Sequence, residues 1–184
     1  DYGIYIVALD AFATFFLIID LGLPTLIARD GAGDVKKIWP AILRVYRLQL
    51  ICSIPFILLA IITTPHIVDE WKEFLSLLII CGLIALTHIA SYAPRSGLRA
   101  AGQAKLEAGT KVIERAVTVL GYFILHSQGS SSATSFALVF LLGAAIGLIT
   151  ALSFSSVILR PISDSSNSIL SESWLDNKTL LLQA

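Results

Sequence analysis

Residues 74–93 read FLSLLIICGLIALTHIASYA, an apolar run without a single Asp, Glu, Lys or Arg. At about 1.5 Å of rise per residue, a helix of this length covers the about 30 Å hydrocarbon core of a bilayer. Four further stretches of similar character lie on either side, at 4–28, 45–64, 112–126 and 134–159. The connections between them alternate in charge. Arg29, Lys36, Lys37, Arg44 and Arg47 follow the first stretch, and only Lys72 separates the second from the third. Arg95, Arg99, Lys105, Lys111 and Arg115 follow the third, none lies between the fourth and fifth, and Arg160 and Lys178 come last. Basic connections stay cytoplasmic, so the chain enters the first span from outside and ends on the cytoplasmic side. The expected fold is an all-α, polytopic transmembrane helix bundle of five spans.

Composition agrees with that reading. Hydrophobic residues make up 56% of the chain and charged residues 14%, against about 25% charged in soluble domains. The net charge is zero, and orientation already accounts for the basic loops, so nucleic acid is not an expected partner; the lipid bilayer is. Cys52 and Cys81 sit inside apolar runs without CxxC spacing or nearby histidine clusters, and read as small buried hydrophobes. Nothing in the spacing implies a metal or cofactor. The opening on Asp1 without a Met, and the apolar close at residues 180–184, lead to the expectation of an internal piece of a larger polytopic protein, with further helices of that protein as partners. Residues 161–178, rich in Ser, read as a cytoplasmic linker, and 179–184 as the start of a further span.

Departures from a plain apolar bundle carry the functional signal. Asp20 falls inside the first span. The fourth opens with Glu107, Lys111, Glu114 and Arg115, spaced as neighbours on a helix. Arg115 reaches toward mid-bilayer, where a charge is costly unless it is paired or hydrated. Two readings stand open: a polar stripe lining a hydrated cavity, or a structural ion pair with Arg115 snorkelling to the headgroups. His88 reads as a hydrogen-bonded histidine within the third span, and Pro55 as a kink in the second. Gly143 and Gly147 have the small-xxx-small spacing that lets helices approach closely, by default within one protein. A catalytic pairing of Ser53 with His88 can be drawn, but nothing around either resembles a nucleophile motif.

Two segments resemble a known family. Asp1-Tyr2-Gly3-Ile4-Tyr5, followed by an apolar run, Asp20-Leu21-Gly22-Leu23 and Arg29, resembles the second helix of the Wzx-type polysaccharide flippases of the MOP superfamily, relatives of the MATE exporters. Pro94-Arg95-Ser96-Gly97-Leu98-Arg99-Ala100-Ala101-Gly102 resembles the cytoplasmic turn after that family's fourth helix. The resemblance implies that residues 1–160 are five of the six helices of one lobe, in the plasma or bacterial inner membrane. It also implies a substrate, a polyprenyl-pyrophosphate-linked oligosaccharide carried between leaflets without covalent change, for polysaccharide biosynthesis. Arg29, Arg95, Arg99 and Arg115 are then candidates for attracting pyrophosphate, with Asp20 as an ion-pair partner or coupling group; Lys111 and Glu114 are cavity candidates from the polar stripe itself. A MATE-like cation or drug antiporter and a membrane-embedded glycan-processing enzyme are the competing expectations.

Overall fold

The computed structural model describes residues 22–67, 71–129 and 132–181, together with residues 6, 9, 10 and 12. From Leu23 on, five helices follow one another among the described residues: α1 (Leu23–Gly33), α2 (Ile38–Ile67), α3 (Trp71–Ala100), α4 (Ala104–Ser127) and α5 (Ala133–Leu181), with a 3-10 turn over Val35–Lys37 between α1 and α2. No strand occurs among the described residues. Among the described residues three segments, Val35–Leu59, Leu75–Ala100 and Ala133–Ser163, are long and apolar enough to cross a membrane. Only 24–39% of each is buried inside the protein. Apolar helices this uncovered belong in lipid or against other helices, which marks the chain as a membrane protein.

The helix ends follow local chemistry. Gly22 takes a left-handed φ of 74° and Pro24 stands in the first turn of α1, where its missing N–H would have had no partner. A new helix therefore starts at Leu23, inside the stretch expected as a continuous span over 4–28. Most of that stretch, Asp20 included, lies outside the described residues. The Asp34 carboxylate accepts the Lys36 N–H at 3.1 Å and so caps the 3-10 turn. At the other end of the chain, α5 runs on as helix through the Ser-rich stretch expected to be a linker. No Gly or Pro follows Pro161 before Leu181 to stop it.

Helix α3 is the centre of the bundle and packs on each of the other four. Leu77, Cys81, Ile84, His88, Ser91, Arg95 and Leu98 follow one another at alternating steps of four and three, one stripe of a helix. All are buried except His88, which is partly so. The stripe starts apolar and turns polar toward the basic end. Its apolar half joins Phe12, Ala85, Ile89 and Ala137 in one cluster. A second cluster of Ile27, Ile38, Ile42, Val45, Ala93 and Leu159 ties α1, α2, α3 and α5 at the basic end. Of the two cysteines, Cys81 is buried as expected, whereas Cys52 is exposed on α2.

Pro94 sits inside α3 and cannot donate to the Ala90 carbonyl one turn earlier. In hydrocarbon that oxygen has no water to turn to. The Tyr46 hydroxyl on α2 donates to it at 2.7 Å, and the buried Ser155 hydroxyl on α5 donates to the Pro94 carbonyl at 3.0 Å. The Tyr46 bond thus closes the break in the α3 ladder, and the Ser155 bond ties the same turn to α5. Removing the phenol leaves the carbonyl orphaned, so Tyr46→Phe should lower stability by about 1–3 kcal/mol in a detergent unfolding titration. The exposed-face change Leu50→Ala should be mild by comparison.

Candidate functional site

The segment from Pro94 to Gly102 resolves residue by residue. Arg95 lies within α3 rather than in the loop after it, and is only 4% exposed. Gly97 lets α2 and α5 close on α3: a Cβ there would stand 2.7 Å from Ile42 Cδ1 and 3.2 Å from Leu159 Cδ1. Arg99 lies at the helix end, largely exposed. Gly102 takes a φ of 75°, with Gln103 N–H donating to Leu98 O at 2.8 Å and Gly102 N–H to Arg99 O at 3.0 Å. This is the Schellman arrangement that ends a helix on a left-handed glycine. It turns the chain sharply, so α4 comes back along α3.

That return brings opposite charges together. The Arg95 guanidinium donates through Nη2 to Glu114 Oε2 at 2.5 Å and through Nε to the Thr110 hydroxyl at 3.1 Å. Thr110 passes its own proton to the Glu107 carbonyl at 2.7 Å. Arg95 and Glu114 side chains are 5% and 3% exposed, which leaves no water to screen the pair. His88 Nδ1 stands 3.7 Å from the other oxygen, Glu114 Oε1, with its ring against Phe140 of α5. A second set lies nearer the turn. Arg99 grips Glu107 with two parallel hydrogen bonds, and the Lys111 ammonium joins it at 2.9 Å, one turn along α4. The Arg99 hydrogen bond, aided by Lys111, holds the Glu107 carboxyl down at about 2. Glu107 therefore stays ionised at any ordinary pH and is a fixed charge rather than a proton carrier.

The helix that results is inside out. The buried residues of α4 are Glu107, Thr110, Glu114 and Thr118, all polar and all on one face. Its opposite side exposes Val112, Val119, Leu120, Phe123 and Ile124. Helix α5 meets the polar face with glycine. A Cβ at Gly147 would stand 2.6 Å from Glu114 Oε2 and 3.0 Å from Arg95 Nη2, and one at Gly143 would stand 2.0 Å from Thr118 Oγ1. The two glycines of the small-xxx-small motif thus make room for the ion pair, within one chain.

The residues expected in one polar stripe divide. Glu107 and Glu114 turn inward, Lys111 folds back onto Glu107, and Arg115 is exposed halfway along α4. Arg115 forms no ion pair among the described residues, so it is not the partner of Glu114. Arg29 is exposed on α1, apart from the paired cluster, and Asp20 is outside the described residues. The Ser53 hydroxyl donates to the Gln49 carbonyl at 2.5 Å rather than to His88, so the two form no catalytic pair. Among the described residues no group of three or more His, Cys, Asp or Glu could hold a metal. Sequence reasoning missed the Arg95–Glu114 pair because it placed Arg95 in the loop; nineteen positions separate the two residues.

No family model, no curated protein and no solved structure matches the chain.

Breaking a buried pair by removing one partner leaves an uncompensated charge and should cost about 3–5 kcal/mol. Arg95→Leu and Glu114→Leu are each expected to unfold at much lower denaturant, while the double variant recovers most of the loss. Gly147→Ala, which removes neither charge, should also destabilise by crowding both. A double variant as unstable as the sum of the singles would mean the pair is not coupled.

Proposed function

We propose that this chain is part of one lobe of a polytopic flippase that carries lipid-linked oligosaccharide between leaflets, with its five expected spans as helices of that lobe. The observation that carries the reading is Arg115. It stands halfway along α4 and is exposed on the flank of the helix, about 100° around from Glu114. An unpaired guanidinium at membrane depth costs about 3 kcal/mol against lipid. It is stable where that face borders water or meets an anion, and a lipid pyrophosphate offers oxygens suited to its fork. Two further features support a helix that crosses the membrane despite its charges: its carboxylates Glu107 and Glu114 are neutralised by basic partners, and its outer face is apolar.

A cation antiporter on such a scaffold needs a carboxylate open to the path. Glu107 and Glu114 are both held by basic partners, which favours an anionic substrate. A glycan-processing enzyme needs an activated nucleophile, and Ser53 spends its hydroxyl on its own helix.

In the full-length protein, in vesicles loaded with lipid-linked oligosaccharide, Arg115→Ala should reduce relocation about tenfold or more while expression and insertion stay near normal. Arg115→Lys should restore part of it, since the charge remains but the bidentate geometry is lost. Normal transport by Arg115→Ala would remove this residue from the path. A covalently altered lipid or glycan by mass spectrometry would favour the enzyme instead.

A further inference from the structure

Between α2 and α3 two grooves meet end to end, both lined by Leu86. The one nearer the basic end, about 310 Å³, takes Tyr46, Arg47, Gln49 and Leu50 from α2 and Ala90 from α3. The other, about 250 Å³, continues past Leu78 and Gly82 to Ile57, with Phe12 from the N-terminal segment on its wall. From Arg47 to Ile57 the rise along α2 is about 15 Å, the depth of one leaflet's hydrocarbon. A groove of about 250 Å³ along the about 12 Å from Leu78 to Leu86 has room for one alkyl chain. The groove lies open sideways, since Leu50, Ile79 and Leu83 on its walls are exposed.

Its basic end holds an unanswered polar group. Gln49 is 3% exposed, and neither its amide nitrogen nor its amide oxygen has a hydrogen-bond partner among the described residues. Such a group is costly away from water unless something in the groove completes it. Arg47 at the mouth makes no ion pair among the described residues, and Arg44, also exposed, is one turn away. Positive charge at the mouth, an amide just inside and an apolar channel one leaflet long match the phosphate, ester and acyl chain of a lipid in that order.

We propose that the α2–α3 groove binds an anionic phospholipid of the cytoplasmic leaflet, with the phosphate on Arg47, the ester region at Gln49 and one acyl chain running past Leu86 toward Ile57. This lipid is structural rather than transported, so the proposal stands whether or not the flippase reading holds. The test reconstitutes the full chain in nanodiscs of phosphatidylcholine with or without phosphatidylglycerol, extracts it gently and weighs it with its retained lipid. One phosphatidylglycerol should stay bound. Its preference over phosphatidylcholine should fall about fivefold in Arg47→Ala and stay unchanged in Lys36→Ala. Gln49→Leu, which removes the orphaned amide, should be more thermostable than wild type in lipid-free detergent yet retain less phosphatidylglycerol. Leu86→Trp, or Leu83→Trp should the first fail to fold, should block retention by filling the channel. Equal retention of both lipids by wild type, retention indifferent to the tryptophan, or displacement by millimolar inorganic phosphate would overturn the proposal. So would a photoreactive group at Leu86 that couples to protein instead of lipid, because a helix would then fill the groove.

Discussion

A buried guanidinium in a membrane bundle must be answered by a carboxylate, and the pairing of Arg95 with Glu114 is the contact on which the arrangement of α3, α4 and α5 depends. Neither group can ionise alone at that depth without a cost of several kcal/mol. Together, with Thr110 holding the remaining Nε–H, they form a satisfied unit that fixes the rotation of α4 about its own axis. Once Glu114 faces α3, helical periodicity brings Glu107, Thr110 and Thr118 to the same side and sends Val112, Val119 and Phe123 outward. The inverted helix follows from one ion pair.

The neighbours are shaped around that unit. Gly143 and Gly147 leave α5 flat where the carboxylate and Thr118 project, and the Schellman turn at Gly102 returns α4 at the register the pair needs. Pro94, next to Arg95, interrupts the helix ladder, and the freed Ala90 carbonyl is taken up by Tyr46 of α2. Thus the residue pair Pro94-Arg95 ties α3 to α2, to α4 and, through Ser155, to α5. Polar contacts hold the bundle where helices without a water-driven hydrophobic effect would otherwise pack by shape alone.

The long apolar helices were legible in the sequence, because residues 74–93 and 134–159 are long enough to span a bilayer without internal charge and 45–64 carries only Arg47, near its basic end. Packing through Gly143 and Gly147 was legible too, from their four-residue spacing. The sense of the polar residues on α4 was only half legible. Their spacing put Glu107, Lys111, Glu114 and Arg115 on neighbouring positions, yet adjacent residues on a helix diverge by about 100°, and Glu114 and Arg115 end on different sides. Which of them faces inward depends on where Arg95 stands across the bundle, a long-range fact that local pattern does not contain. Gln49 and Tyr46 carried no signal for the same reason: an orphaned amide and a rescued carbonyl exist only once α2 lies on α3.

The most direct test of the inverted α4 is a nitroxide scan along residues 105–126 of the protein in bilayers, reading collisions with oxygen, which concentrates in lipid. Accessibility should oscillate with the helical period, high at Val112, Val119 and Phe123 and low at Thr110, Glu114 and Thr118. An oscillation of the opposite phase, with Glu114 and Thr118 open and Val119 and Phe123 shielded, would contradict the pairing at the centre of the bundle.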